Sequence, residues 1–391
     1  MDNKFIVLII ILALVLIGAC SVMSKPQVIQ DTVTSEDIGT KSCGFKEDLE
    51  IKSLLKQEIN FSEENVSNKI IPILEDFELD NIIIKGALVY FTHDNGKANS
   101  LYRFDLSTNK IARLIVNTED RLQSVFNPSI YGKYIVFNDI AESPGPFKSE
   151  VKSKIVICNI ETGKKQTLDH TEESQFEPWV WDNKIVWKEG SDFSHSLVFY
   201  DIKKKEKRKL GLLSEKISRP KFYNDFIVFE SFEAESPSVS YYSLLFNAEF
   251  AMPSTSSNVK QEHPSIYGDK AVFADNREGN WDIYLYDFNI EQLEKITNNT
   301  ADQKNPMIYQ DMIVWEDYRN ENSDIYVYYM KNETEVRISN STIDKWSPAI
   351  FGGLIAWRGG DRMINKHDLY IYPIPKLSYY KEATSITNST I

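Results

Sequence analysis

Cysteine and histidine are both scarce in this 391-residue chain, which contains three cysteines and five histidines. The cysteines form no CxxC pair, and the histidines are scattered without an HExxH motif. Zinc sites are usually built from such closely spaced ligands. A GxSxG nucleophile motif is also absent from the sequence. We therefore expect no metal and no other cofactor.

Positive charge is also in short supply. The chain has 44 basic against 57 acidic residues, a formal net charge of −13. A nucleic-acid-binding surface needs a basic patch to neutralise phosphates, so we expect no nucleic-acid partner. The one basic run, Lys203–Lys209, is short and falls where a turn between two strands is expected, so we interpret it as a solvated hairpin tip.

Long apolar runs are confined to the N-terminus. Phe5–Ala19 is continuously apolar and follows Lys4. Residues 1–20 are therefore a secretion signal, an uncleaved membrane anchor or a lipoprotein signal. The five residues ending at Cys20 (LIGAC) resemble a lipobox, in which Cys20 would be the lipidated residue. All three alternatives place the rest of the chain outside the cytoplasm, attached to the membrane in two of them.

The segment 21–68 is polar and is interpreted as a tether, with a possible short amphipathic helix at 48–59. Residues 377–391 form a polar C-terminal tail. If Cys20 is lipidated, Cys43 and Cys158 remain and could pair in an oxidising compartment. Because Cys158 lies in a predicted strand (KIVICNI), we expect it to be a buried free thiol rather than a disulfide.

The region 69–376 is dominated by a repeat. An apolar strand ends on an aromatic residue seven times, at spacings of 42 to 50 residues. These anchor aromatics are Tyr90, Phe137, Trp187, Phe229, Phe273, Trp315 and Trp357. Six residues before each anchor is a second, mostly aromatic position: Ile84, Tyr131, Trp181, Tyr223, Tyr267, Tyr309 and Phe351. Nine residues before the anchor is a proline in six of the seven copies: Pro128, Pro178, Pro220, Pro264, Pro306 and Pro348.

Each repeat has the signals of four antiparallel strands. Gly, Asp and Asn between the two aromatic positions favour a tight hairpin. A third, alternating strand follows, as in WDIYLYDF from Trp281, and a more polar fourth strand suits an outer edge. Four strands at this period are typical of propeller blades. We predict an all-β fold, a seven-bladed β-propeller of four-stranded antiparallel blades, with six blades as the alternative.

The seventh repeat has no obvious fourth strand after Pro375. The run Ile70–Leu74, which precedes the first repeat, has strand character, and its Pro72 confines it to an edge. We predict that this strand completes the last blade and closes the ring.

The fifth and sixth repeats carry a specific resemblance. They read HPSIYGDKAVFADNREGNWDIYLYDF from His263 and NPMIYQDMIVWEDYRNENSDIYVYYM from Asn305. This pattern resembles TolB-like propeller repeats of the type found in archaeal cell-surface proteins. The resemblance implies a propeller that binds proteins or surface polymers and does not catalyse a reaction. TolB itself has a distinct N-terminal domain, for which too few residues precede Phe77.

Two repeated charge pairs are the first candidate site residues. Asp275 and Arg277 follow one anchor aromatic, and Asp317 and Arg319 follow the next. They either bind a ligand on a loop face or form ion pairs that join adjacent blades. The stretch 275–282 also has a superficial likeness to a calcium loop, but Arg277 occupies a position that needs an oxygen ligand.

Tryptophans supply the other candidates. Those in or beside the repeated strands are interpreted as packing between blades. Trp281 and Trp346 lie nearer loop ends, so we expect them to be the exposed ones and add them to the candidate binding residues.

The function expected from these features is a non-catalytic, membrane-anchored, extracellular scaffold for a protein or a cell-envelope polymer, acting as a monomer. One alternative is a polysaccharide-acting lyase or hydrolase on the same propeller, and another is a TolB-like envelope accessory protein. An enzyme would be distinguished by charged residues from several blades that converge, with perturbed pKa values, at the axis.

Overall fold

The structure is a computed structural model that describes residues 43–47, 71–77, 79–94, 99–116, 124–141, 152–168, 173–191, 194–233, 236–256, 258–361 and 367–374. Cys20 and the predicted anchor, helix and tail lie outside these residues. No helix within the described ranges is long and apolar enough to span a membrane.

Strands account for nearly all of the described structure, and they form seven sheets. The first three blades are, in order from the inner strand, β3 (Leu79–Lys85), β4 (Leu88–Asp94), β5 (Asn99–Asp105) and β6 (Lys110–Val116); β7 (Phe126–Tyr131), β8 (Tyr134–Ala141), β9 (Lys152–Asn159) and β10 (Lys164–Leu168); and β11 (Ser174–Trp181), β12 (Lys184–Gly190), β13 (His195–Asp201) and β14 (Glu206–Leu210). An additional strand, β1 (Cys43–Glu47), pairs with the outer edge of blade 1.

The next three blades are β15 (Ile217–Tyr223), β16 (Phe226–Glu233), β17 (Ser236–Ser243) and β18 (Ala248–Ala251); β19 (Gln261–Tyr267), β20 (Lys270–Asp275), β21 (Asp282–Asp287) and β22 (Gln292–Lys295); and β23 (Gln303–Tyr309), β24 (Met312–Asp317), β25 (Asp324–Tyr329) and β26 (Thr334–Arg337). Blade 7 contains β27 (Asp344–Phe351), β28 (Leu354–Gly360), β29 (His367–Pro373) and β2 (Ile71–Phe77). The fold is therefore the predicted all-β propeller with seven blades, not six.

The core lies between the blades. The anchor aromatics all stand in the second strands, and none is more than 1% exposed. The buried residues form seven clusters, each joining two adjacent blades, including one between blades 7 and 1. A blade buries its faces only against its neighbours, so the anchors hold the ring together as predicted.

The inner hairpins follow the predicted turn chemistry. The first turn residue has a positive φ angle in every blade: Gly86, Gly132, Asp182, Asn224, Gly268, Gln310 and Gly352. Glycine, asparagine and aspartate tolerate this conformation, which explains their frequency between the two aromatic positions.

The repeated prolines lie inside the inner strands, as the third to fifth residue of each. In six blades the residue before the proline has a positive φ angle, and the pairing register shifts there. The register breaks are β-bulges, in which one residue leaves the ladder. A proline is tolerated at a bulge because its missing N–H has no ladder partner to lose.

The ring is closed by the N-terminal strand, as predicted. β2 pairs antiparallel with β29, with Ile71 opposite Ile371 and Phe77 opposite His367. Blade 7 is thus assembled from the two ends of the propeller segment. Unfolding of either end must then disrupt the contact between the first and last blades.

The prediction of a free thiol at Cys158 is wrong. Cys43 and Cys158 form a disulfide across 115 residues of sequence, with their Cα atoms 6.1 Å apart. Cys43 begins β1, within the segment predicted as a tether, and the bond joins this outer strand of blade 1 to β9 of blade 2. Burial alone did not distinguish a thiol from a disulfide, because both cysteines are buried in the pair.

Removing the disulfide should destabilise the fold. We expect the C43S/C158S variant to lose about 2–5 kcal/mol of unfolding free energy, because the crosslink restricts a long loop in the unfolded chain. Urea unfolding of wild type with and without reductant measures this. The reductant should lower the stability of wild type and leave the variant unchanged; equal effects on both would contradict the expectation.

Deleting residues 68–76 should lower the melting temperature by roughly 10 °C or more, because blade 7 would lose its outer strand and the ring its closure. Thermal unfolding followed by circular dichroism gives the measurement, with deletion of residues 383–391 as the control. A melting temperature equal to that of wild type would rule out the closure as a stabilising element.

Candidate functional site

The predicted Asp–Arg pairs are ion pairs inside the blades. Asp275 is fully buried and binds the Arg277 guanidinium through both oxygens, at 2.9 Å from Nε and 2.6 Å from Nη2. The same Nη2 donates to the carbonyl oxygen of Pro253, in the connection from blade 4. This contact matches the interpretation in which a pair joins adjacent blades, and among the contacts of the described residues it does so for the first pair only.

The second pair repeats this geometry. Asp317, also fully buried, accepts from Nε of Arg319 at 2.8 Å and from Nη2 at 2.6 Å. Arg319 also pairs with Glu335 and lies over the Tyr326 ring. Both carboxylates are therefore enclosed by their own arginines.

Blade 3 contains a third buried carboxylate of this kind, which the sequence pattern missed. Glu189 stands two residues after its anchor, as Asp275 and Asp317 do, and accepts from Lys207 at 2.8 Å. The cation that pairs with Glu189 lies in β14, two strands further along the blade, whereas the arginines of the other two pairs lie in the loop after the second strand. Lys207 belongs to the basic run, so only the turn residues of that run match the predicted solvated tip.

The two candidate tryptophans differ in exposure. Trp281 is half-buried, with Lys304 Nζ 5.7 Å from its ring centroid. Trp346 is only 6% exposed and packs edge-on against His367. The expectation that Trp346 is exposed is wrong, because it lies within the inner strand β27 and not in the loop before it.

The seven inner strands surround the axis and define two openings. The end at the hairpin turns, called here the hairpin mouth, carries the second aromatic position of each repeat. From blade 2 to blade 7 these rings contact one another in sequence, with centroids 4.0 to 5.0 Å apart. Blade 1 has Ile84 in place of a ring, and the neighbouring Lys85 lies 6.0 Å from the Tyr131 ring of blade 2. This collar packs the inner strands together.

The other end, called here the bulge mouth, is surrounded by the bulge residues. Four of their N–H groups, released from the ladder, donate to a side chain of the preceding blade. The pairs are Glu177 to Asn138, Arg219 to Glu177, His263 to Glu230 and Ser347 to Glu316. Each of these four bulges thereby joins two blades and brings polar side chains to the mouth.

Glu230 is the most heavily bonded of these carboxylates. It accepts from Arg219 Nη1 at 2.7 Å, from Ser218 Oγ at 2.7 Å and from the His263 N–H at 2.8 Å. Burial opposes its ionisation, but the Arg219 charge and these hydrogen bonds outweigh it and lower the pKa of Glu230. It is therefore ionised at neutral pH.

Lys221 follows Pro220 in the same inner strand and is half-buried. Its Nζ lies 3.4 Å from the Met307 sulfur and 5.7 Å from the centroid of the Trp179 ring. Burial, reinforced by the Arg219 charge, lowers the pKa of Lys221 to about 8, although Glu230 acts in the opposite direction. Among the described residues no carboxylate lies within ion-pair distance of its ammonium.

His263 and Glu262 complete the cluster. Burial and the Arg219 charge lower the pKa of His263 to about 4, so its imidazole is neutral at physiological pH. Its Nδ1 is buried and has no hydrogen-bond partner within the described part of the chain. Burial and the nearby Glu230 charge raise the pKa of Glu262.

The bulge mouth therefore brings together titratable groups of blades 4 and 5 with side chains of blades 3 and 6. In the described ranges, no three His, Cys, Asp or Glu side chains are grouped so as to hold a metal ion. The candidate residues chosen from the sequence, which follow the anchors or lie near loop ends, do not include this cluster. The signal was the position after each proline, where one copy has a lysine and the others have uncharged residues.

No family model and no curated protein matches this sequence. Solved structures do match the fold. An oligogalacturonate lyase in complex with manganese is similar over 87% of this chain and 99% of its own, with 14% identity and a TM-score of 0.59. The β-propeller domain of the Trilobed protease from Pyrococcus furiosus, which has an open velcro topology, is similar over 75% and 93%, with 14% identity and a TM-score of 0.57.

A TolB protein from Agrobacterium tumefaciens also matches, over 55% of this chain and 79% of its own, at 15% identity. Its TM-score of 0.42 is too low to support an argument about function. At an identity of 14% the first two similarities establish the propeller fold and nothing further.

Replacing Lys221 should stabilise the protein at neutral pH. The pKa of Lys221 falls from 10.5 in the unfolded chain to about 8 in the fold, so folding disfavours its charged form below pH 8. We expect K221M to raise the unfolding free energy at pH 7 by at most about 3 kcal/mol.

The stability advantage of K221M over wild type should decline between pH 8 and pH 10.5. In this range the unfolded wild-type chain binds more protons than the native protein, so the unfolding free energy of wild type rises with pH. Urea unfolding at pH 7 and pH 10 tests both statements. A K221M variant less stable than wild type at pH 7 would contradict the assignment of Lys221 as a poorly compensated cation.

Proposed function

We propose that this protein is an extracytoplasmic, membrane-anchored propeller that binds a protein or a surface polymer at its bulge mouth and does not catalyse a reaction. The observation that carries this proposal is the convergence of blades 3 to 6 on one half-buried polar opening. Ligand sites are concave and combine apolar surface with a few placed polar groups. Trp179, Lys221 and His263 supply that combination here.

The location is supported by the disulfide between Cys43 and Cys158. Disulfides persist in oxidising compartments and are rare in reducing ones. The apolar N-terminal segment, with Cys20 as its lipidation candidate, is consistent with the same side of the membrane.

Binding without catalysis is supported by the state of the mouth carboxylates. Glu230 is saturated by Arg219, Ser218 and a backbone N–H. Glu177 pairs with Lys188 at 2.8 Å. A carboxylate whose oxygens are already hydrogen-bonded stabilises the surface that a ligand contacts. It is poorly placed to exchange protons with that ligand.

A polysaccharide-acting enzyme is the second candidate, because one observation favours it. The pKa of Glu230 is lowered and that of its neighbour Glu262 is raised. Divergent pKa values in neighbouring groups are typical of acid–base pairs. One structural neighbour is an oligogalacturonate lyase, although that similarity is one of fold.

Site-specific photo-crosslinking tests the binding face. A benzoylphenylalanine at Glu262, on the bulge mouth, should label an envelope protein or polymer of the producing cell. The same residue at Asp225, exposed on the hairpin mouth, is the matched control and should label little. Equal labelling from both positions, or stronger labelling from Asp225, would overturn the proposed binding face.

Turnover separates the two candidates. The full-length protein in detergent should release neither reducing ends nor unsaturated products from envelope polysaccharide. Release that is lost in an E262Q variant would establish the enzyme and overturn the binding-only function.

A further inference from the structure

We propose that the bulge mouth holds a site for the carboxylate of an acidic sugar, with Lys221 as the cation that binds it. This inference rests on the proposed function, since it names the chemistry of the ligand that the mouth would accept.

The first argument is the charge balance of the mouth. Three other cations near Lys221, from blades 3, 4 and 6, have carboxylate partners: Lys188 with Glu177 at 2.8 Å, Arg219 with Glu230 at 2.7 Å and Lys304 with Asp302 at 2.7 Å. Lys221 instead lies against the sulfur of Met307 and the ring of Trp179. A half-buried cation without a counterion is unfavourable, and an anionic ligand would relieve that cost.

The second argument limits the charge of that ligand. One uncompensated ammonium balances one negative charge, and the neutral His263 adds none. Glu177, Glu230 and Glu262 surround the mouth, so the second charge of a phosphate dianion would meet repulsion without a cation of its own. A carboxylate is the singly charged group that fits.

The third argument concerns the rest of the ligand. His263 Nδ1 is buried without a hydrogen-bond partner in the described residues, and buried polar atoms normally have one. The half-buried indole of Trp179 offers an apolar surface beside Lys221. A sugar acid combines a carboxylate, hydroxyls and an apolar ring face in one rigid unit. An aliphatic acid offers the carboxylate alone.

The site should depend on pH through Lys221. Its ammonium must be protonated to bind an anion, and its pKa is about 8 under the influence of burial, Arg219 and Glu230. His263, with a pKa of about 4, remains neutral throughout the range above pH 6. Affinity should therefore fall above pH 8.

Calorimetric titration of the full-length protein in detergent with sodium D-glucuronate tests the proposal, with methyl glucoside and glutarate as comparison ligands. We expect glucuronate to bind more tightly than either at pH 6.5, and at least about tenfold more weakly at pH 9.5. Glutarate binding as tight as glucuronate would overturn the assignment to a sugar, and tighter glucoside binding would overturn the carboxylate.

The K221M variant should bind glucuronate at least about tenfold more weakly than wild type, because it loses a charge-assisted contact. The matched control is K85M, because Lys85 also has a pKa lowered to about 8 but lies at the hairpin mouth. K85M should bind as wild type does. Equal affinities of K221M and wild type, or equal losses in K221M and K85M, would overturn the role of Lys221.

The outcomes separate this inference from the proposed function. Cross-linking from Glu262 without glucuronate binding would overturn the sugar-acid site alone. Glucuronate binding without any envelope cross-link would overturn the envelope-binding function alone. Unfolding would not account for a loss of affinity in K221M, since that variant should be the more stable protein.

Discussion

The packing of each blade against its two neighbours is the constraint on which this molecule depends. A four-stranded sheet cannot bury both faces by itself, and the largest buried side chains of this chain lie between blades. An open row of seven such sheets would leave two faces uncovered, so the ring must close. Strand β2, taken from before the first repeat, closes it by completing the last blade. The disulfide adds a covalent link between blades 1 and 2.

The bulges in the inner strands connect this packing to the surface chemistry. Each bulge removes one N–H from the ladder, and that N–H needs another acceptor. Four of them find it on a side chain of the preceding blade, three of these being glutamates. The polar character of the bulge mouth is therefore a consequence of how adjacent blades are joined.

Lys221 does not follow this pattern. The carboxylates around it stabilise neighbouring blades, whereas its own ammonium is half-buried against a sulfur and an indole. A buried charge without a counterion lowers the stability of the fold. Such destabilising residues are concentrated at functional sites. At the opposite mouth, ring packs on ring from blade 2 to blade 7, which matches a structural role.

The sequence by itself determined the architecture. The spacing of Tyr90 and its counterparts, the turn residues beside Gly86 and Gly268, and the strand at Ile70–Leu74 specify seven blades and their closure. These signals are local, because each is contained within one strand or one turn. The sequence also predicted an ion pair between Asp275 and Arg277 as one of two interpretations, because the two residues are only two positions apart.

Only the tertiary structure decided the rest, because it depends on residues that are distant in sequence. Cys43 meets Cys158 because β1 joins the outer edge of blade 1, and no local pattern predicts that pairing. Trp346 is buried because its blade brings it edge-on against His367, which lies 21 residues further along the chain. Trp179, Lys221, His263 and Met307 belong to four repeats, and only closing the ring brings them to one opening.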